Sequence, residues 1–241
     1  MNQTTPSHPD PPPIDAMMVI DKPLGFTSMQ VCARVRGKLK AGGAPKRIKV
    51  GHGGTLDPLA TGVLVILIGK ATKRCAQIMD GAKRYTATVD LLRTSPTDDL
   101  EGETEVFPVE HEPDRAHIDE VLSTFIGVID QRPPAHSAMK VDGERAYTLA
   151  RAGKLDRLEP RPVRIDAIDV IEYVWPNLTI DVRCGKGTYI RSLARDIGQR
   201  LGTGGVLTAL RRTQVGQFSI EEALSLDELP KTLDPWDLPA K

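Results

Sequence analysis

The sequence predicts an α+β domain built on a mixed, largely antiparallel sheet with flanking helices, and three features of its patterning carry that expectation. Six consecutive apolar residues, Val63 to Ile68, stand between Gly62 and Gly69 and read as a fully buried strand. Val163 to Val174 and Leu178 to Cys184 read as two long strands, a hairpin around Trp175-Pro176-Asn177. Helical stripes are interspersed with these segments, Val31, Cys32, Val35 and Leu39 in one and Ile190, Leu193, Ala194, Ile197 and Leu201 in another. The regular strand–helix alternation of a parallel sheet is missing.

Taken in order, residues 1–15 hold Pro6, Pro9, Pro11, Pro12 and Pro13, with no basic segment leading into an apolar run; a disordered tail is expected, not a secretory signal. Ala16 to Asp21 reads as the first strand and Lys22-Pro23-Leu24-Gly25 as a turn. Thr27 and Gln30 form a capping box for the first helix, which leaves Arg34 and Lys38 outside its apolar stripe. Residues 40–49, with Gly42, Gly43 and Pro45 among lysines, read as a mobile basic loop. Ala71 to Met79 suggests a short helix and Lys83 to Leu92 a strand containing Tyr85. The acidic segment 93–113 reads as an exposed turn and linker, followed by a helix from Pro113 to Phe125 with Ile118, Val121, Leu122 and Phe125 inward. Gly127 to Asp130 resumes strand. Thr188 is a good N-cap for the helix that begins near Ile190, and Leu207 to Val215 reads as the last strand.

A chain of 241 residues with 40% apolar and 27% charged content can bury a sizeable core. The six-residue apolar run falls far short of the roughly 20 residues a bilayer span needs. Cys32, Cys75 and Cys184 are widely spaced, without a Cys-x-x-Cys pair, and read as reduced, buried thiols of a cytoplasmic protein. The formal net charge is zero, but the average hides segregation. Eight cations and no acid lie from Lys22 to Val50, and seven cations face Asp196 alone from Arg183 to Arg212; between Asp98 and Glu120 ten acids face only Arg115. Basic stretches on both sides of one segment suggest a polyanion held there.

That segment is Val50 to Lys70. Gly51, Gly53 and Gly54 free the backbone, and Pro58 biases Asp57 toward an extended conformation, so an acid is presented on a tight loop anchored to the buried strand. Such a carboxylate is costly unless paired or working. Other motifs fail here. A phosphate-cradling loop ending at Gly69-Lys70 would need glycine at Leu64 and Ser or Thr at Ala71; a dinucleotide fingerprint would need glycine at Leu56. His52-Gly53-Gly54 is not matched by a Gly-x-Ser-x-Gly elbow.

The run Gly51-His52-Gly53-Gly54-Thr55-Leu56-Asp57-Pro58-Leu59-Ala60-Thr61-Gly62-Val63-Leu64 resembles the signature of the TruB-type tRNA pseudouridine-55 synthases, departing at Gly53, where threonine is usual. Gln131 to Val141, Gly143 to Gly153 with Tyr147, and Gly185 to Leu193 resemble further blocks of that family. His136 stands where tyrosine is general; it is read as a hydrogen-bonded loop histidine without catalytic role. The resemblance spans about residues 16 to 215 and implies a pseudouridine-synthase fold, with a catalytic domain over 16–215 and a short acidic C-terminal extension over 216–241. Family members commonly carry a small C-terminal RNA-binding domain; the 25 residues after Gly216 are fewer than a domain needs.

What the resemblance implies is an isomerase that detaches a uracil in the tRNA T-loop, turns it and rejoins it through C5, without metal or cofactor. Asp57 carries over as the catalytic aspartate, Arg191 as its two-point partner, and Tyr85 as the pocket tyrosine that stacks on the base. A cation in the first turn of a helix opposes the helix dipole, which independently asks for an anion near Arg191. Tyr189, Leu210 and Lys22 carry over as lining or supporting positions, and His52 as a histidine that enters the RNA loop. The partner implied is the tRNA T-arm, engaged by a monomer with no obligate protein partner. A guide-RNA-dependent dyskerin-type synthase and a non-catalytic RNA-binding or chaperone protein are the alternatives. Leu59-Ala60-Thr61-Gly62 disfavours the first, and Asp57, Tyr85 and Arg191 together disfavour the second.

Overall fold

The computed structural model describes residues 13–134, 139–141, 144–145, 148, 152–153 and 158–238; His136 and Tyr147 lie outside them. In chain order the strands are β1 Asp15–Lys22, β2 Val50–His52, β3 Ala60–Gly69, β4 Lys83–Asp90, β5 Arg93–Thr94, β6 Glu105–Val106 and β7 Gly127–Gln131. They continue with β8 Lys140–Val141, β9 Glu144–Arg145, β10 Arg161–Val174, β11 Asn177–Cys184, β12 Val206–Val215, β13 Phe218–Ser219 and β14 Leu224–Ser225. The helices are α1 Ser28–Ala41, α2 Cys75–Asp80, α3 Arg115–Ser123 and α4 Ile190–Leu201.

Ten strands form one sheet in the order β14-β1-β3-β12-β4-β11-β10-β7, with β2 on β3 and β13 on β12. Only β1–β14 and β3–β12 pair in parallel, so the sheet is mixed and mostly antiparallel, as the patterning predicts. The apolar run is explained by β3, which is covered on both faces. Leu64, Ile66 and Ile68 join a core with α1, whereas Val63, Val65 and Leu67 join a second with Met17, Val19 and Phe218. A third core fills the space between β4, β10, β11 and the helices α3 and α4. Among the described residues no helix is long and apolar enough to cross a membrane.

The capping box stands: Thr27 Oγ1 accepts from Gln30 N, and Gln30 Oε1 accepts from Thr27 N. Three other local readings need correction. The basic loop 40–49 is anchored, because Ala44 and Ile48 are buried against α1 and Arg36 donates to the Val50 carbonyl. The acidic segment 93–113 is not all exposed linker; it forms the β5–β6 ladder, and Asp98 and Asp99 are buried. The N-cap of α4 is Tyr189, without a side-chain cap, while Thr188 donates to the Arg164 carbonyl. Of the three cysteines, Cys32 and Cys184 are buried and Cys75 is only partly so.

The stretch set apart as an acidic extension carries β13 and β14, and β14 extends the sheet beside β1. Leu226, Leu229 and Leu233 are buried in the α1 core, and Lys38 Nζ at the end of α1 donates to the carbonyls of Leu229 and Pro230 at 2.8 Å each. Cations in a last helical turn suit the dipole, and here one also ties down the C-terminal stretch.

Candidate active site

The loop 53–59 joins β2 to β3, and β12 pairs with β3 where the loop enters it. Gly53 N donates to the Val65 carbonyl at 2.8 Å, and Ala60 N closes the turn on the Asp57 carbonyl at 3.0 Å. Neighbouring elements fasten it at nearly every residue. Ser28 Oγ, at the start of α1, exchanges hydrogen bonds with Leu56 N at 2.9 Å and Leu56 O at 3.0 Å. Gly25 N donates to the Pro58 carbonyl. From β12, the buried Arg212 donates to the carbonyls of Val63, Thr55 and Gly54 at 2.8, 3.3 and 3.1 Å. Gly62, at φ 100°, lets β3 pass so close to β12 that any side chain would overlap the Arg212 backbone.

Lys22 has no exposed surface, and its Nζ donates to the carbonyls of Pro23, Phe26 and Pro58. Burial lowers its pKa to about 8, against the opposing pull of the Asp57 charge. Lys22 therefore supports the loop from beneath.

Asp57 points away from this scaffolding, with its side chain 43% exposed, while the Arg191 side chain is 7% exposed. Arg191 Nη2 lies 3.0 Å from Asp57 Oδ2, and Nη1 lies 3.3 Å from Asp99 Oδ2 and 3.4 Å from the Thr97 carbonyl. The anion that the dipole argument asked for is thus present twice. Asp99 is itself held by Thr97 Oγ1 at 2.6 Å and Glu101 N at 3.0 Å.

Asp57 and Arg191 line a cavity of about 430 Å³ together with Tyr85, Tyr189, Leu210 and Arg212. Tyr85 projects from β4, where it pairs with Arg212 on one side and Val182 on the other. Burial raises its pKa, partly offset by the Arg212 guanidinium, so the phenol stays neutral and keeps its proton. Tyr189 is fixed through its backbone, its N–H donating to Gln131 Oε1 at 2.8 Å and its carbonyl accepting from Gln131 Nε2 at 3.1 Å; Arg161 lies over its ring. His52 is not part of the lining. It ends β2 with Nδ1 buried, and burial followed by the Arg212 charge lowers its pKa, which favours the neutral ring.

Five of the seven residues singled out from the sequence therefore meet around one cavity, and the other two stand behind its loop. Residues 41–190 match the model of the TruB family pseudouridylate synthase N-terminal domain. The chain belongs to the TruB family. Residues 191–238 match the family's tRNA pseudouridylate synthase B C-terminal domain, a stretch that begins in α4 and includes β12 to β14. A tRNA pseudouridine synthase B of Phocaeicola vulgatus is 47% identical over 92% of this chain and 94% of its own length. That of Bacteroides fragilis is 45% identical over 92% and 95%. Among solved structures, a Cbf5-Nop10-Gar1 complex matches with TM-score 0.68 and 29% identity over 95% of this TruB chain. An H/ACA ribonucleoprotein bound to a substrate RNA containing 2′-deoxyuridine matches with TM-score 0.65 and 28% identity over 89%. This TruB chain spans 60% and 52% of those two solved chains.

Sequence reasoning missed Asp99, Arg212 and Ser28. Asp99 sits in a run of acids that reads as solvated surface. The available signal was on the other partner: Arg191 and Arg195, one turn apart on a helix with a strong apolar stripe, need two anions, and Asp98-Asp99 supplies adjacent ones. Arg212 falls in the run Leu207 to Val215, which reads only as a strand, and there a buried guanidinium has no local signature.

Proposed function

We propose that this chain is a tRNA pseudouridine synthase, an isomerase that converts the uridine at position 55 of the T-loop and works without a guide RNA. The observation that carries the reading is an accessible carboxylate, Asp57, paired with a buried arginine in the wall of a cavity that also presents a neutral phenol. In the reaction the N1–C1′ bond breaks, a C5–C1′ bond forms, the C5 proton leaves to solvent and N1 takes a proton. No electrons are gained or lost. A uridine reaches such a cavity only when unstacked from its loop, and Tyr85 offers its ring to the exposed base. Asp57 is the group that engages the nucleoside. Arg191 keeps it charged and oriented when water is excluded.

The stand-alone reading is favoured over a guide-RNA-dependent one by relative similarity. Relatives named tRNA pseudouridine synthase B are 45–47% identical along nearly their whole length, against 28–29% for chains of the H/ACA assemblies. The test is tritium release from C5-labelled uridine in an unmodified tRNA transcript, with no other protein or RNA added. Release by the wild type and none by Asp57→Asn supports the proposal, and Asp57→Asn should still bind tRNA within about tenfold, since affinity comes mainly from phosphate contacts. A wild type that releases nothing would remove it.

A further inference from the structure

We propose that Arg195 is a positioning residue for catalysis, pinning the Asp98-Asp99 loop and the root of the 133–160 segment to one guanidinium so that Arg191 can brace Asp57. The inference rests on the reading of the site given above. Arg195 follows Arg191 by one turn of α4, and its Nη1 lies 2.8 Å from Asp98 Oδ2, beside the pair that Arg191 makes with Asp99.

Successive side chains of an extended strand point to opposite sides, so two adjacent aspartates do not ordinarily face one helix. Here the backbone is bent to allow it. Asp98 has φ 62°, the left-handed region, and is the only non-glycine residue with positive φ among the described residues. Such a conformation persists where the surroundings hold it. Its holders are visible: the Asp98 amide donates to Ser95 O at 3.1 Å, the Asp98 carbonyl accepts from Leu207 N at 3.0 Å, and Arg195 takes the side chain.

The same guanidinium reaches the other way. Arg195 Nη2 donates to the Arg132 carbonyl at 2.9 Å, and Asp196 Oδ1, at 2.8 Å, completes its partners. Arg132 directly follows Gln131, whose side chain fixes Tyr189 at the cavity wall, and the segment that leaves from Arg132 contributes Met139 to the cavity. Arg195 thus ties the Asp98-Asp99 loop behind Arg191 to the start of the segment that carries Met139, without lining the cavity itself.

The test compares wild type, Arg195→Met, Asp98→Asn and the double variant. Asparagine tolerates the left-handed backbone, so Asp98→Asn removes the charge while keeping the fold and remains decisive where Arg195→Met fails to fold. Three quantities are read: single-turnover pseudouridine formation with saturating enzyme, tRNA binding by filter retention, and thermal melting. A misplacement near 1 Å can slow chemistry by up to about a hundredfold, so each single variant should react at least about tenfold more slowly while tRNA affinity is kept. The double variant should be no slower than the worse single one, because both break the same link. A purely stabilising ion pair would lower the melting temperature and leave the saturated rate alone. Rates within about twofold of wild type, or single effects that multiply in the double variant, would overturn the proposal. Wild-type activity with an inactive Asp57→Asn keeps the reading of the site in place in that event, whereas an inactive wild type strikes the reading itself.

Discussion

Asp99 Oδ2 and Asp57 Oδ2 lie on different nitrogens of the same Arg191 guanidinium, at 3.3 and 3.0 Å, so one buried cation is shared between an accessible carboxylate and an enclosed one. Asp99 has a side chain only 5% exposed, too enclosed to meet substrate. Its role is to hold Arg191 against rotation. Asp99→Asn should therefore lower the single-turnover rate by about tenfold or more with little change in tRNA affinity. Arg191→Lys should be impaired more severely, because a lysine cannot present two planar nitrogens to two acceptors. Near-normal rates in Arg191→Lys would mean that the bridge is dispensable.

The departure at Gly53 has a packing counterpart. A side chain at that position would overlap Cγ2 and Cβ of Ile78, which α2 projects into the same space. Gly53→Thr should thus destabilise the fold by about 1–3 kcal/mol, the usual cost of overpacking. Ile78→Ala removes Cγ2, the nearer of the two overlapping atoms, and leaves only Cβ, so the double variant should be more stable than the sum of the two single losses predicts. Urea denaturation of the four proteins measures this directly. A Gly53→Thr protein as stable as wild type would show that Ile78 moves aside freely.

What was legible in the sequence was what local patterning encodes. The Thr27–Gln30 box, the apolar run of β3, the β10–β11 hairpin and the stripes of α1 and α4 need only neighbours in the chain to be recognised. The Gly51–Leu64 signature located Asp57, and the dipole at the start of α4 marked Arg191 as a residue with an anion nearby. The remaining geometry depends on pairings between distant segments. Asp99 meets Arg191 ninety-two residues later, Arg212 braces carbonyls near residue 55, and Leu226, Leu229 and Leu233 bury themselves against α1 from within an acidic stretch. An acid destined for a buried pair and one destined for solvent look alike until the fold brings the cation to it.

Burial raises the pKa of Asp98 from 3.8 to about 6 in spite of the Arg195 charge beside it. A carboxyl whose folded pKa exceeds its unfolded one binds more protons in the folded state between those values. Its contribution to stability is full below about pH 4 and is lost as pH rises through about 6. Replacing Asp98 by asparagine removes that dependence. The stability difference between Asp98→Asn and wild type should therefore grow in favour of the variant from pH 4 to pH 6, by on the order of 1–3 kcal/mol, and stay level above pH 7. Parallel stability–pH curves for the two proteins would place the Asp98 pKa in the ordinary carboxylate range.

The neutral net charge raises the question of how RNA is held, and the structure gathers cations at the far end of β3. Arg47 and Lys49 meet Lys70 and Lys73 around a groove of about 300 Å³, with Lys46 exposed beside it. The backbone along the groove is anchored: Ile48 is buried between the two cations and Gly69 N donates to the Lys49 carbonyl at 2.8 Å. Ten aromatic residues, several of them buried, make a broad stacking platform unavailable, so phosphate contacts should dominate affinity. If Lys46, Arg47 and Lys49 each meet a phosphate, replacing all three by alanine should reduce the slope of log affinity against log salt by roughly two to three, at about 0.7–0.9 per contact. The single-turnover rate at saturating enzyme should be unchanged, since the groove lies at the opposite end of β3 from Asp57. Filter binding of an unmodified tRNA transcript across a salt series measures the slope, and a slope equal to that of wild type would mean that this end of the sheet does not touch RNA.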